Sequence, residues 1–189
     1  MRSFRRIIGI GAVAVAASAL VACGSDDSST ATAPTTSARA ASSAAATPAA
    51  PKGRECTADD IGVEGGFGTA PVITLPDDCD PPKGLITKDL VSGSGPGAQP
   101  GQPLTMNYSL VTWSNQKKLD SSFDRGEPFQ LTLGAGEVIE GWDTGLSGVQ
   151  QGTRRLLIVP PDLGYGQGGR GIAPNETLVF VTDTVQIGG

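Results

Sequence analysis

The chain has 189 residues, a formal charge of −5 and no histidine. Without imidazole there is no serine–histidine or cysteine–histidine nucleophile system, and the commonest metal ligand is missing. With the three arginines among the first six residues set aside, eleven basic side chains face nineteen acidic ones, a balance that argues against a nucleic-acid-binding surface.

Arg2, Arg5 and Arg6 precede an apolar run from Ile7 to Val21, too short for a comfortable membrane span and flanked as an export signal is. The run ends in L-V-A-C. Small residues directly before Cys23 resemble the bacterial lipobox, in which that cysteine is acylated and becomes the mature amino terminus. The alternative is a plain secretory signal that happens to end near a cysteine. On the first reading residues 1–22 are removed, and lipid on Cys23 anchors the protein to the outer face of the cytoplasmic membrane. From Gly24 to Arg54, twenty-four of thirty-one residues are Ala, Ser, Thr or Pro. Such a segment cannot bury enough surface to offset its ordering entropy. Residues 23–54 are therefore expected to be a tether, averaging roughly 30 Å end to end as a flexible coil.

Residues 55–82 follow as an arm. Cys56 and Cys79 are the remaining cysteines, and an exported chain with two of them invites a disulfide; two reduced, buried thiols are the alternative. Closing that loop would contribute about 3 kcal/mol. Between them G-G-F-G-T-A-P-V-I-T-L-P reads as a turn and a short strand at Val72–Leu75. Asp80-Pro81-Pro82 marks a boundary.

The main domain, residues 83–189, begins with a strand at Leu85–Val91. Leu104, Met106, Tyr108 and Leu110 alternate with polar residues, a period of two for a half-buried strand. Ser114–Gln116 turns the chain back. Phe129, Leu131 and Leu133 alternate likewise, Arg155–Val159 is a strand stopped by Pro160 and Pro161, and Thr177–Ile187 is the last. Between strands lies G-A-G-E-V-I-E-G-W-D-T-G-L, Gly134 to Leu146. Ile139, Trp142 and Leu146 recur at i, i+3 and i+7, so a short helix turns them to one side, with Glu140 and Asp143 in its first turn. Gly141 and Gly145 make it a poor helix alone. The pattern predicts an α+β fold with a twisted antiparallel β-sheet wrapped around one short α-helix. Gly164, Gly166 and Gly169 spell G-x-G-x-x-G, but Ala173-Pro174 and a strand follow instead of a helix, so no dinucleotide cradle is expected.

N-Y-S-L, K-K-L-D-S-S-F-D-R-G-E-P-F, G-E-V-I-E-G-W-D-T-G-L, P-P-D-L-G-Y-G and I-A-P-N-E-T-L-V-F together resemble, in order and spacing, the FKBP-type peptidyl-prolyl cis-trans isomerases. The resemblance covers Gly84 to Gly189. It implies an isomerase that eases rotation about X-Pro bonds and needs no cofactor and no metal. It also implies a site. Trp142 would form the floor under the proline ring, with Tyr108, Phe129, Val138, Ile139, Ile172 and Phe180 around it. Tyr165 and the Ile139 amide would donate to a substrate carbonyl, and Asp120, oriented by Arg125, would lie at the edge. Leu119 stands where the family usually has phenylalanine. The glycine-rich loop from Gly166 to Gly171 predicts a small, mobile flap.

The implied partners are proline-containing exported polypeptides and macrolides such as rapamycin, with membrane contact through the lipid anchor only, no nucleic acid, and a monomeric state. A proline-binding chaperone or interaction module with weak isomerase activity is the competing reading, since Leu119 removes one aromatic edge. A solute-capturing lipoprotein would need a larger, two-lobed body.

Overall fold

The computed structural model describes residues 51–188. The expected leader, Cys23 and the tether as far as residue 50 lie outside the described residues. Among those described, no helix is long and apolar enough to cross a membrane.

The described residues form eight strands and two short α-helices, in order: β1 (Gly62–Glu64), β2 (Val72–Thr74), β3 (Ile86–Val91), β4 (Pro103–Thr112), β5 (Lys118–Ser121), α1 (Ser122–Arg125), β6 (Phe129–Thr132), α2 (Glu140–Gly145), β7 (Arg154–Val159) and β8 (Leu178–Ile187). β1 and β2 form a two-stranded antiparallel ribbon. The others form a six-stranded antiparallel sheet in the order β3-β7-β8-β4-β5, with β6 paired to the first half of β4. The fold is the α+β arrangement that the alternating residues predict, with a second, four-residue helix at α1 that they do not.

The alternation sorts side chains onto two faces. Leu157 and Val159 of β7, Leu178 and Phe180 of β8, and Leu104, Met106 and Tyr108 of β4 pack with Trp142 of α2 and with Leu146, which caps its end. Their neighbours Leu156, Ile158, Val179 and Val181 point to the opposite face, where a second cluster includes Ile61 and Leu75 of the arm. Most antiparallel sheets leave one face wet. Here the arm covers that face, which is why L-L-I-V and L-V-F-V are continuous apolar runs in β7 and β8.

The arm is closed by a disulfide between Cys56 and Cys79, whose Cα atoms are 5.2 Å apart. Its loop Gly65–Thr69 is pinned from below. Arg154, 1% exposed, pairs with Asp183, 0% exposed, its direct cross-strand neighbour. The guanidinium also donates to the carbonyls of Gly65 at 2.7 Å and Thr69 at 2.6 Å, and Asp183 accepts the Gly68 amide at 2.6 Å.

Two glycines explain how α2 lies so close to the sheet. A Cβ at Gly145 would stand 2.5 Å from Leu157 Cδ2, and one at Gly141 would strike Val159. These residues lower helix propensity, yet without them the helix could not approach β7. Arg155 locks the contact, donating to the Gly145 carbonyl at 2.7 Å while pairing with Asp89 of β3.

Candidate active site

The concave face of the sheet and α2 enclose an open-mouthed cavity of about 220 Å³. Its floor is Trp142, 3% exposed. The indole is placed by the local backbone. Ile139 caps α2 in extended conformation (φ −63°, ψ 150°), its carbonyl accepting the Trp142 amide at 2.9 Å. Asp143, in the first turn, accepts the amides of Gly134 at 2.8 Å and Gly136 at 3.2 Å, which fixes the approach to the helix. The amide of Ile139 itself belongs to the donors that a helix start leaves without an intrahelical acceptor.

Aromatic rings surround the indole edge-on. Tyr108 and Phe180 lie 5.4 Å from it and Phe129 6.0 Å, with interplanar angles of 78–88°. Edge-to-face pairs of this kind contribute about 0.5–1.5 kcal/mol each beyond their burial. They hold the walls apart around an apolar hollow. The indole Nε1, buried, has no partner among the described residues.

The cavity is lined by Tyr108, Leu119, Asp120, Phe129, Val138, Ile139, Trp142, Tyr165, Ile172 and Phe180, so the sequence-predicted lining residues come together in one place. Arg125 stands behind them. It pairs with Asp120 and donates to the Tyr108 hydroxyl at 3.0 Å, and its guanidinium carbon lies 5.5 Å from the Tyr108 ring centre. Three further lining residues, Leu110, Glu137 and Arg170, are absent from the sequence-based set. Leu110 was legible as the next inward residue after Tyr108 on β4. No spacing marks the other two. The flap is tied by its own backbone: Gly168 donates to the Tyr165 carbonyl at 2.7 Å and Asn175 to the Gly166 carbonyl at 2.8 Å.

Asp120 is the charged group best integrated into the site. Partial burial pushes its carboxyl up, but the Tyr108 hydroxyl at 2.5 Å, the Arg125 charge and the Ser121 amide at 2.8 Å outweigh this and hold it below the usual carboxylate value. Burial first, and then the hydrogen bond to Asp120, raise the Tyr108 phenol above its ordinary value. A carboxylate with a depressed folded-state pKa contributes stability above its unfolded value of about 3.9 and loses it as pH falls through the lower folded one. The Tyr108–Asp120–Arg125 hydrogen bonds are therefore expected to be constant from about pH 5 to about pH 9. An NMR titration of the Tyr108 ring and Arg125 guanidinium signals checks this, and a midpoint between about pH 5 and 7 would contradict it.

Residues 95–184 match the family model described as FKBP-type peptidyl-prolyl cis-trans isomerase. The chain is 48% identical over 111 residues to an FK506-binding protein of Streptomyces anulatus, covering 57% of this chain and 90% of that protein. A peptidyl-prolyl cis-trans isomerase of Schizosaccharomyces pombe is 41% identical over 107 residues, or 55% of this chain and 95% of the relative. Among solved structures, AtFKBP13 superposes with a TM-score of 0.51 at 36% identity, over 56% of this chain and 94% of that one. Residues 95–184 hold β4 to β7, most of β8, α2 and the lining of the aromatic cavity, and with the identity to these relatives this chain belongs to the FKBP-type peptidyl-prolyl cis-trans isomerase family.

Proposed function

We propose that the aromatic cavity is the active site of a prolyl isomerase that assists the folding of exported proteins. The observation that supports this best is the indole floor at the base of an open apolar hollow. Rotation about an X-Pro bond meets a barrier of about 18–20 kcal/mol because amide resonance is lost in the twisted state. Uncatalysed exchange takes tens to hundreds of seconds, slow enough to limit folding. No covalent bond is made or broken, so the cavity needs only to bind the twisted imide better than either planar form. Trp142 carries the pyrrolidine ring, and Tyr108, Phe129, Val138, Ile172 and Phe180 exclude water from the imide nitrogen. Tyr165 and the Ile139 amide donate to the client's carbonyl oxygens. Asp120, held by Arg125, presents a fixed negative edge toward the carbonyl carbon.

The same apolar hollow suits macrolides of the kind to which FK506 and rapamycin belong, and the Streptomyces anulatus relative is an FK506-binding protein. The basic-apolar leader pattern and the small residues before Cys23 support a lipid anchor on Cys23 at the outer face of the cytoplasmic membrane. Loss of membrane retention in a Cys23→Ser chain tests that placement.

The catalytic reading is tested by exchange NMR on an alanine-proline peptide with the mature chain. Catalysed exchange, abolished by rapamycin, is expected. Peptide binding without acceleration would favour the interaction-module reading, to which Leu119 lends weight, since it is 40% exposed at the mouth.

A further inference from the structure

One cation at the cavity mouth has no hydrogen-bond or ion-pair partner for its side chain among the described residues. Arg170 stands at the tip of the flap, where Gly169 and Ile172 exchange backbone hydrogen bonds of 3.0 and 2.9 Å around Arg170 and Gly171. Both central residues have positive φ, 54° and 82°, the pattern of a type I′ turn. Its first central position normally holds Asn, Asp or Gly. A long side chain kept in the left-handed region is a strained choice, and such outliers concentrate where a side chain has a task.

Arg170 lines the cavity with Leu119 and Ile172. A Cβ at Gly171 would lie 4.0 Å from Leu119 Cδ1, so the flap and the β5 edge form one side of the mouth. The other charged lining groups are committed elsewhere. Asp120 is held by Arg125, Tyr108 and the Ser121 amide. Glu137 accepts the Thr132 amide at 2.8 Å. Among the described residues no carboxylate forms an ion pair with Arg170.

Resting on the isomerase reading above, we propose that Arg170 is a specificity-determining residue that selects clients with an acidic side chain immediately beside the proline. A proline seated on Trp142 sends its neighbours out through the mouth, since one residue advances the chain by about 3.3–3.6 Å. A carboxylate there meets a planar guanidinium fork suited to bidentate pairing. A lysine in the same place meets like charge. The charge of Asp120 does not offset this, being compensated by Arg125.

Exchange rates measured with the mature chain on peptides carrying Glu, Lys or Ala directly before or directly after proline test the inference. Each rate is normalised to the alanine peptide for the same variant. At about 0.01 M ionic strength the Glu peptide is expected to be turned over about three- to tenfold faster than the Lys peptide in at least one of the two positions, as for a partly exposed ion pair, with the preference fading near 1 M salt. Arg170→Asn, which suits positive φ, should bring the ratio to about one, and Arg170→Glu should invert it. Arg170→Lys, which keeps the charge, should retain most of it. Thermal unfolding of each variant confirms that it is folded. A Glu-to-Lys ratio near one in the unaltered chain, or a ratio unmoved by Arg170→Asn, would overturn the inference, and exchange of the alanine peptide by the unaltered chain separates that failure from one of the isomerase reading. No exchange of any peptide by the unaltered chain would overturn the isomerase reading and this inference with it.

Discussion

Replacing Arg154 by methionine is expected to cost about 3–5 kcal/mol of folding stability, the penalty for stranding one member of a buried ion pair. Asp183 is 0% exposed, and two of its bonds come from Arg154, at 2.6 and 2.8 Å. Without the guanidinium its charge keeps, among the described residues, the Gly68 amide alone as a hydrogen-bond donor. The carbonyls of Gly65 and Thr69 lose their donor at the same time. Urea unfolding measures the loss, and a change under about 1 kcal/mol would mean that water or a neighbouring side chain takes over the role. The double variant Arg154→Met with Asp183→Leu is expected to recover most of it, because two apolar side chains pack where two charges had to be desolvated. It should not restore the arm loop. The carbonyls of Gly65 and Thr69 and the amide of Gly68 remain without their partners, so limited proteolysis is expected to cut between residues 65 and 69 in both variants.

That pair was invisible in the sequence, and the reason is physical. Arg154 and Asp183 are neighbours only through the register of β7 on β8, which no local pattern encodes. β4 was legible because it buries alternate residues against α2, and β7 and β8 because their β-branched, apolar runs are covered on both faces. β5 was not, since Lys118-Leu119-Asp120-Ser121 is an edge strand with its first two residues exposed and no period of two. Its strand character comes from pairing with β4. β1 was missed for the same reason, being three residues that exist as a strand only against β2. Gly141 and Gly145 spoke against a helix on propensity, yet tertiary packing demands them. In the site, the aromatic walls and Asp120 were reached by resemblance, residue by residue. The unpaired Arg170 was not, because what distinguishes it is the absence of a partner in space and a backbone angle.

Replacing Trp142 by leucine is expected to separate the cavity's catalytic role from its structural one. The ring makes three edge-on contacts, with Tyr108, Phe129 and Phe180. Leucine keeps part of the volume, so the stability loss should stay below the about 3–5 kcal/mol of a truncation to alanine. Exchange of an X-Pro bond should fall at least about tenfold, since losing one ring contact of about 1.4 kcal/mol with the twisted imide is enough for that. Trp142→Phe is the informative partner. It retains a flat face under the pyrrolidine ring and deletes the indole Nε1, a buried donor without a partner among the described residues, whose burial costs about 1–3 kcal/mol when unmet. The phenylalanine variant should therefore lose less stability than the leucine variant and keep a larger share of exchange. If instead the leucine variant, folded by near-ultraviolet circular dichroism, exchanges the peptide as fast as the unaltered chain, the indole is core alone. The rotation would then have to be eased by a different surface of the molecule.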